Sequence, residues 1–178
     1  EEQIEDFEAD LGLSLDEDVF SWMTGEFAIV LTEAEPANEY DPPLGGYLLI
    51  GTDDMDLAER KVEDIADVVS QEMYLEFTRE TIGNNPMQVV FDPFTGAVMG
   101  GYGFWDDFVL IGYMEDAIRT AFDAEDDPIT ASENFEAVTG RLPSKNYGYF
   151  YVDIDVVQAL AESQMVDYEL EDYEKHVR

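Results

Sequence analysis

Almost every side chain in this sequence that could do chemistry is a carboxylate. Asp and Glu number 43 against 8 Lys and Arg over 178 residues, a formal charge of −35. Hard cations such as calcium take clustered oxygen ligands, and two stretches supply them: Asp53-Asp54-Met55-Asp56 and Asp123-Ala124-Glu125-Asp126-Asp127. Asp53, Asp54 and Asp56 are the candidate metal ligands, and calcium is the candidate cofactor. Neither stretch has the EF-hand pattern of alternate acids, a glycine sixth and a glutamate twelfth. The first precedes a helix, so its acids also suit the positive end of a helix dipole. Trp105-Asp106-Asp107 places two acids beside an aromatic ring, as carbohydrate-cleaving enzymes do. A chain this acidic offers many such pairs by chance, so these three residues read first as a tight turn with solvated acids.

Other reaction classes find little support. The single histidine, His176, lies three residues from the end, where an imidazole is solvated and not fixed. A His-pair zinc site needs a second one, and a Ser-His-Asp arrangement could be built only through that tail position. Cysteine is absent, which excludes disulfides, thiolate catalysis and Cys-based zinc sites. Gly100-Gly101-Tyr102-Gly103 lacks the Lys-Ser/Thr of a phosphate loop and the third glycine of a dinucleotide loop, and it lies between strands. It reads as a strand with bulges or close backbone packing. Tyr147, Tyr149 and Tyr151 share one face of a strand with Asp153, while Phe150, Val152 and Ile154 occupy the other. That pattern fits a strand covered on both sides. It also makes the three tyrosines the candidate partner-binding residues, since Tyr offers contact area with a polar tip.

The charge itself narrows the partners. A field of this sign repels nucleic acid and anionic lipid, and it attracts cations and basic proteins. Salt or bound cations relieve the self-repulsion, so the acidity suits a salty habitat as well as a cation-facing surface. Apolar residues make up 46%, with 11 Phe, 10 Tyr and 2 Trp, enough for a sizeable core. No run approaches the ~20 apolar residues of a membrane helix, so membrane contact is expected only through a segment outside this chain. The first residue is Glu1, which reads as the start of a piece of a longer protein.

These groups must be positioned by an alternation of helices and strands. Ile4, Phe7 and Leu11 are helically spaced and followed by Gly12. Ser14-Leu15-Asp16-Glu17 reads as a capping box opening a short helix through Met23. Phe27, Ile29 and Leu31 alternate with Glu26, Ala28 and Thr32 as a strand. Tyr47 to Gly51 reads as a buried strand. Ala58, Val62, Ile65, Ala66 and Val69 make the apolar face of a helix whose other face is charged. Residues 75–82, 87–91, 97–104 and 108–113 read as strands, the last three forming a meander. Gly83-Asn84-Asn85-Pro86 reads as the turn before it, Asp92-Pro93 stops its first strand, and Trp105-Asp106-Asp107 connects its last two. Met114, Ala117, Ile118, Ala121 and Phe122 form the next helix. A second capping box at Thr130, the strand 147–154 and a helix from Val156 complete the series. Tyr47-Leu48-Leu49-Ile50-Gly51 and Phe108-Val109-Leu110-Ile111-Gly112 are a weak internal echo, each leading into a helix.

Gly12-Leu13, Leu15-Asp16 and Val19 ahead of Trp22 and Gly25-Glu26, then the Leu-Ile-Gly step, Phe135, Leu142-Pro143 and Tyr151-Val152-Asp153, follow a familiar order. Over roughly Phe7 to Leu160 the chain resembles the DUF3352 family, bacterial proteins of unknown function. The resemblance implies an exported or anchored protein and brings no catalytic residues.

The sequence thus predicts an α+β fold: a mostly antiparallel sheet with helices packed mainly on one face. One domain is expected over residues 1–165, with 166–178 an acidic polar tail or linker. The expected role is a non-catalytic extracytoplasmic structural or interaction module with a protein partner. A calcium-binding module and a carboxylate-based hydrolase are the alternatives.

Overall fold

The computed structural model describes residues 8, 12–34, 43–123 and 157. The candidate tyrosines, the loop beyond Asp123 and the helix expected around Phe7 lie outside them. Among the described residues six strands form one sheet: β1 Phe27–Glu33, β2 Leu44–Gly51, β3 Thr78–Ile82, β4 Asn85–Phe91, β5 Val98–Trp105 and β6 Phe108–Tyr113. Their order is β1-β2-β6-β5-β4-β3, and every neighbouring pair is antiparallel. Among the described residues the α-helices α1 Met55–Met73 and α2 Glu115–Asp123 pack on this sheet. The fold is α+β, as the alternation of sequence periods requires.

Local chemistry sets the element ends. Asp54 caps α1 by accepting the Leu57 N–H at 3.0 Å, and its own N–H donates to the buried Thr52 hydroxyl. Tyr74 ends α1 in the left-handed conformation, φ 55, with its N–H on the Ser70 carbonyl. The β5–β6 hairpin needs only Asp106 and Asp107, because Asp106 takes φ 49. Gly83 and Asn84 alone turn β3 into β4, so Asn85 and Pro86 already belong to the strand. A bulge opposite Val90 and Phe91 lets Val98 face the same side as Val89. The glycine-rich run is the middle of β5. A Cβ on Gly101 would strike the Gln88 carbonyl oxygen.

The capping box at Ser14 is altered. Residues 15–19 form a π-helical turn and 20–22 a tighter 3-10 turn. The wider turn carries Glu17 past the box. Ser14 still accepts the Glu17 N–H, at 3.4 Å, but Asp18 returns the bond, its carboxylate accepting the Ser14 N–H at 2.8 Å. The other Asp18 oxygen pairs with Lys61 of α1 at 2.6 Å, and the Trp22 indole N–H donates to the Asp18 carbonyl. Asp18 therefore ties the turn to α1.

The sheet has a core on each face. On one, Ala58, Val62 and Ala66 of α1 pack with Trp22 over Ile50, Val109 and Tyr102. On the other, Ile118 and Ala121 of α2 pack over Leu110, Met87, Val89, Val98 and Ile82. Gly112 allows that close seat, since a Cβ there would run into Ile118. Most of the described helical residues lie on the α1 face, with α2 covering the other. The echoed segments are neighbours in register, Leu49 opposite Leu110, with Tyr47 opposite Gly112 and Gly51 opposite Phe108. They are related by a local two-fold that ends where the helices leave to opposite faces.

Two corners of one sheet face: a candidate functional site

The path of α1 shapes the surface above the sheet. β2 and β3 run in the same direction with three strands between them. α1 must therefore cross from the Gly51 end of β2 to the opposite end of the sheet, where β3 begins at Thr78. At 1.5 Å per residue its 19 residues span about 28 Å, enough for that diagonal. A diagonal leaves two corners of the face uncovered. One lies over β3, β4 and the end of β5. The other lies over β1, β2 and the end of β6.

The first corner is a cleft of about 260 Å³. Its floor is Tyr102 and Phe104, which stack edge-to-face with centroids 6.0 Å apart. Phe77 supports Tyr102 from below α1 in a second edge-to-face contact at 5.4 Å. Glu59 and Glu63 overhang the cleft from α1, and Arg79 of β3 and Gln88 of β4 stand in register across from them. Burial raises the Tyr102 phenol pKa, and the negative charges of Glu63 and Asp67 raise it further. The hydroxyl thus stays protonated as a donor well into alkaline pH. Glu59 and Glu63 lie one turn apart on one helix, so both carboxylates line the same wall. Glycoside hydrolysis needs acids on the two sides of a bond, which this wall does not provide.

The second corner is built from strand side chains. Phe27, Ile29 and Leu31 of β1 point to the α1 face and remain 64, 69 and 68% exposed. Register extends the row across the sheet. Ile29 sits opposite Leu48, which sits opposite Ile111; Leu31 sits opposite Gly46, which sits opposite Tyr113. Ile111 and Tyr113 are also exposed, at 43 and 48%. The result is a contiguous apolar surface on a chain of charge −35.

The residues singled out from sequence fall elsewhere. Asp53, Asp54 and Asp56 sit at the start of α1, exposed, with Asp54 engaged as the cap. Among the described residues no three Asp, Glu or His side chains converge as a metal site. Asp106 and Asp107 are the exposed hairpin turn. Tyr147, Tyr149 and Tyr151 lie outside the described residues. Sequence reasoning passed over the cleft. Glu59 and Glu63 read as the solvated face of α1, and Arg79 as an ordinary strand residue. The period-2 pattern of β1 marks a sheet face correctly, but period alone does not say whether anything covers it.

No helix among the described residues is long and apolar enough to cross a membrane. No curated protein and no solved structure matches the chain. A family model does, described as "Protein of unknown function (DUF3352)", and it aligns with residues 1–173. With nearly the whole sequence so matched, the chain belongs to the DUF3352 family.

Proposed function

We propose that this protein is a non-catalytic interaction module that docks a protein partner on the apolar corner formed by β1, β2 and β6. The observation that carries the reading is the exposure of Phe27, Ile29 and Leu31, each about two-thirds open to solvent on one strand. Full burial of a Leu, Ile or Phe side chain contributes about 1.5–3 kcal/mol, so leaving three in one row open is costly unless something covers them. Charge selects the occupant. A second copy would bring another −35 to the contact, whereas a partner with an apolar row flanked by Lys and Arg is drawn in by the same field. The setting we propose is extracytoplasmic, within a longer exported or anchored protein, as the family resemblance implies.

A synthetic amphipathic helix with a leucine row and lysine flanks, labelled for fluorescence anisotropy, tests this. It should bind the wild type and lose at least tenfold in affinity for the Ile29→Glu/Leu31→Glu double variant. A glutamate-flanked version should bind neither. Equal affinity of the lysine helix for both proteins removes the apolar corner as the docking surface. A stable dimer in sedimentation, abolished by the same double substitution, assigns the corner to a second copy instead.

A further inference from the structure

The cleft at the opposite corner has features that an unoccupied helix flank does not need. Arg79 forms no ion pair or side-chain hydrogen bond with any described residue, and neither do Glu59 and Glu63 on the facing wall. In a chain with 8 basic residues and 43 acidic ones, an unpaired Arg beside two Glu side chains stands out. The three side chains are solvent-exposed and line one cleft without pairing, above a floor of two aromatic rings. Gln88 adds an amide on the Arg79 side, and Arg79 and Gln88 are direct partners in the β3–β4 ladder.

We infer that this cleft binds a small zwitterion of the amino-acid class, its ammonium toward Glu59 and Glu63, its carboxylate toward Arg79 and its apolar body on Tyr102 and Phe104. Each element matches one part of such a ligand. Guanidinium donates two parallel hydrogen bonds to a carboxylate. A pair of carboxylates one turn apart accepts from an ammonium, and the faces of Tyr and Phe attract the same cation. A site of about 260 Å³ is below the usual ~300–1,000 Å³ of drug-sized ligands, so a free amino acid or a short peptide sets the scale. A simple anion is repelled by the surrounding field, and a simple cation leaves Arg79 without a partner.

The test uses four probes on the full chain: L-phenylalanine, glycyl-L-phenylalanine, 2-phenylethylamine and 3-phenylpropionate. Calorimetry in ~0.5 M KCl, where the Debye length is a few Å, suppresses unspecific attraction of cations to the whole surface. At least one of the two zwitterions should bind saturably, and both single-charge analogues at least tenfold more weakly. Arg79→Gln and Glu59→Gln/Glu63→Gln should each lower zwitterion affinity about tenfold or more, while Asp64→Asn, on the exposed side of α1, leaves it unchanged. Circular dichroism confirms that the variants fold. Preference for the dipeptide identifies a peptide ligand, and preference for phenylalanine a free amino acid. Absence of saturable zwitterion binding, or affinity unaltered by Arg79→Gln, overturns the assignment. Because the lysine-flanked helix reads the other corner, either result is independent of the docking proposal.

Discussion

The two uncovered corners of the α1 face have the same origin and opposite character. Both exist because one helix crosses the sheet diagonally from β2 to β3. Over β3–β5 the flank of α1 carries Glu59 and Glu63, and the strands answer with Arg79 and Gln88, giving a small concave site with charge on two walls. Over β1, β2 and β6 the strands present Phe27, Ile29, Leu31, Ile111 and Tyr113 to solvent. A concave polar site suits a small molecule, and a broad apolar row suits a macromolecule. The difference has two sources: the strands present Arg79 and Gln88 at one corner and an apolar row at the other, and the flank of α1 adds Glu59 and Glu63 to the first.

Stability measurements can break that comparison or sharpen it. The largest effect is expected at the cleft floor. Tyr102 is 8% exposed and wedged between Phe77 and Phe104, so Tyr102→Ala should cost about 3–5 kcal/mol in denaturant unfolding. Ile29→Ala, on the same face, should stay within about 0.5 kcal/mol because its side chain is already in water. Equal losses at the two sites would mean the β1 row is covered in solution, and the contrast between the corners would fail.

An intermediate effect belongs to Asp54, which fixes where α1 begins. Asp54→Ala should cost about 1 kcal/mol, and Asp54→Asn should recover most of it, because an amide oxygen still caps. A loss as large as that of Tyr102→Ala would show that the three acids at this helix start do more than cap it.

The smallest effect concerns the turn pinned beside the apolar corner. The Asp18 carboxyl is held below its ordinary value, first by the hydrogen bond from Lys61 and then by the Ser14 N–H. A depressed folded-state pKa contributes stability above the unfolded value near 3.8, and that contribution is lost as pH falls through the lower folded value. Asp18→Asn should therefore flatten part of the acid limb of the stability curve below pH 3.8 and leave its alkaline side unaltered. Unchanged acid limbs in the two proteins would show that the turn is not tied to α1 through this pair.

The fold was legible where burial and local chemistry agree. Ala58, Val62 and Ala66 announce the seat of α1 by spacing, and Ala117, Ile118 and Ala121 do the same for α2. The meander from β4 to β6 follows from period-2 segments joined by short polar turns. The site was not legible, for two physical reasons. Glu59 and Glu63 carry the same signature as any solvated helix face, and only the position of β3 under that flank turns them into a wall. Phe27, Ile29 and Leu31 carry the same signature as a buried strand face, and only the diagonal of α1 leaves them bare. The Ser14 box was half legible. Its hydroxyl caps as the motif requires, but the π-helical turn hands the return bond from Glu17 to Asp18.

By itself the sequence determined most of the element types, the two apolar helix faces, the acidic start of α1 and a net charge of −35. These are local or summed properties, set by spacing, by one or two hydrogen bonds, or by a count of charges. Tertiary structure alone decided which strands neighbour one another, that α1 and α2 go to opposite faces, and that one diagonal crossing leaves a charged cleft and an apolar row. Those outcomes depend on the placing together of residues far apart in the chain, as Arg79 in one cleft with Glu59 and Glu63 or Ile29 opposite Leu48, and no local pattern encodes which distant surface a residue will meet.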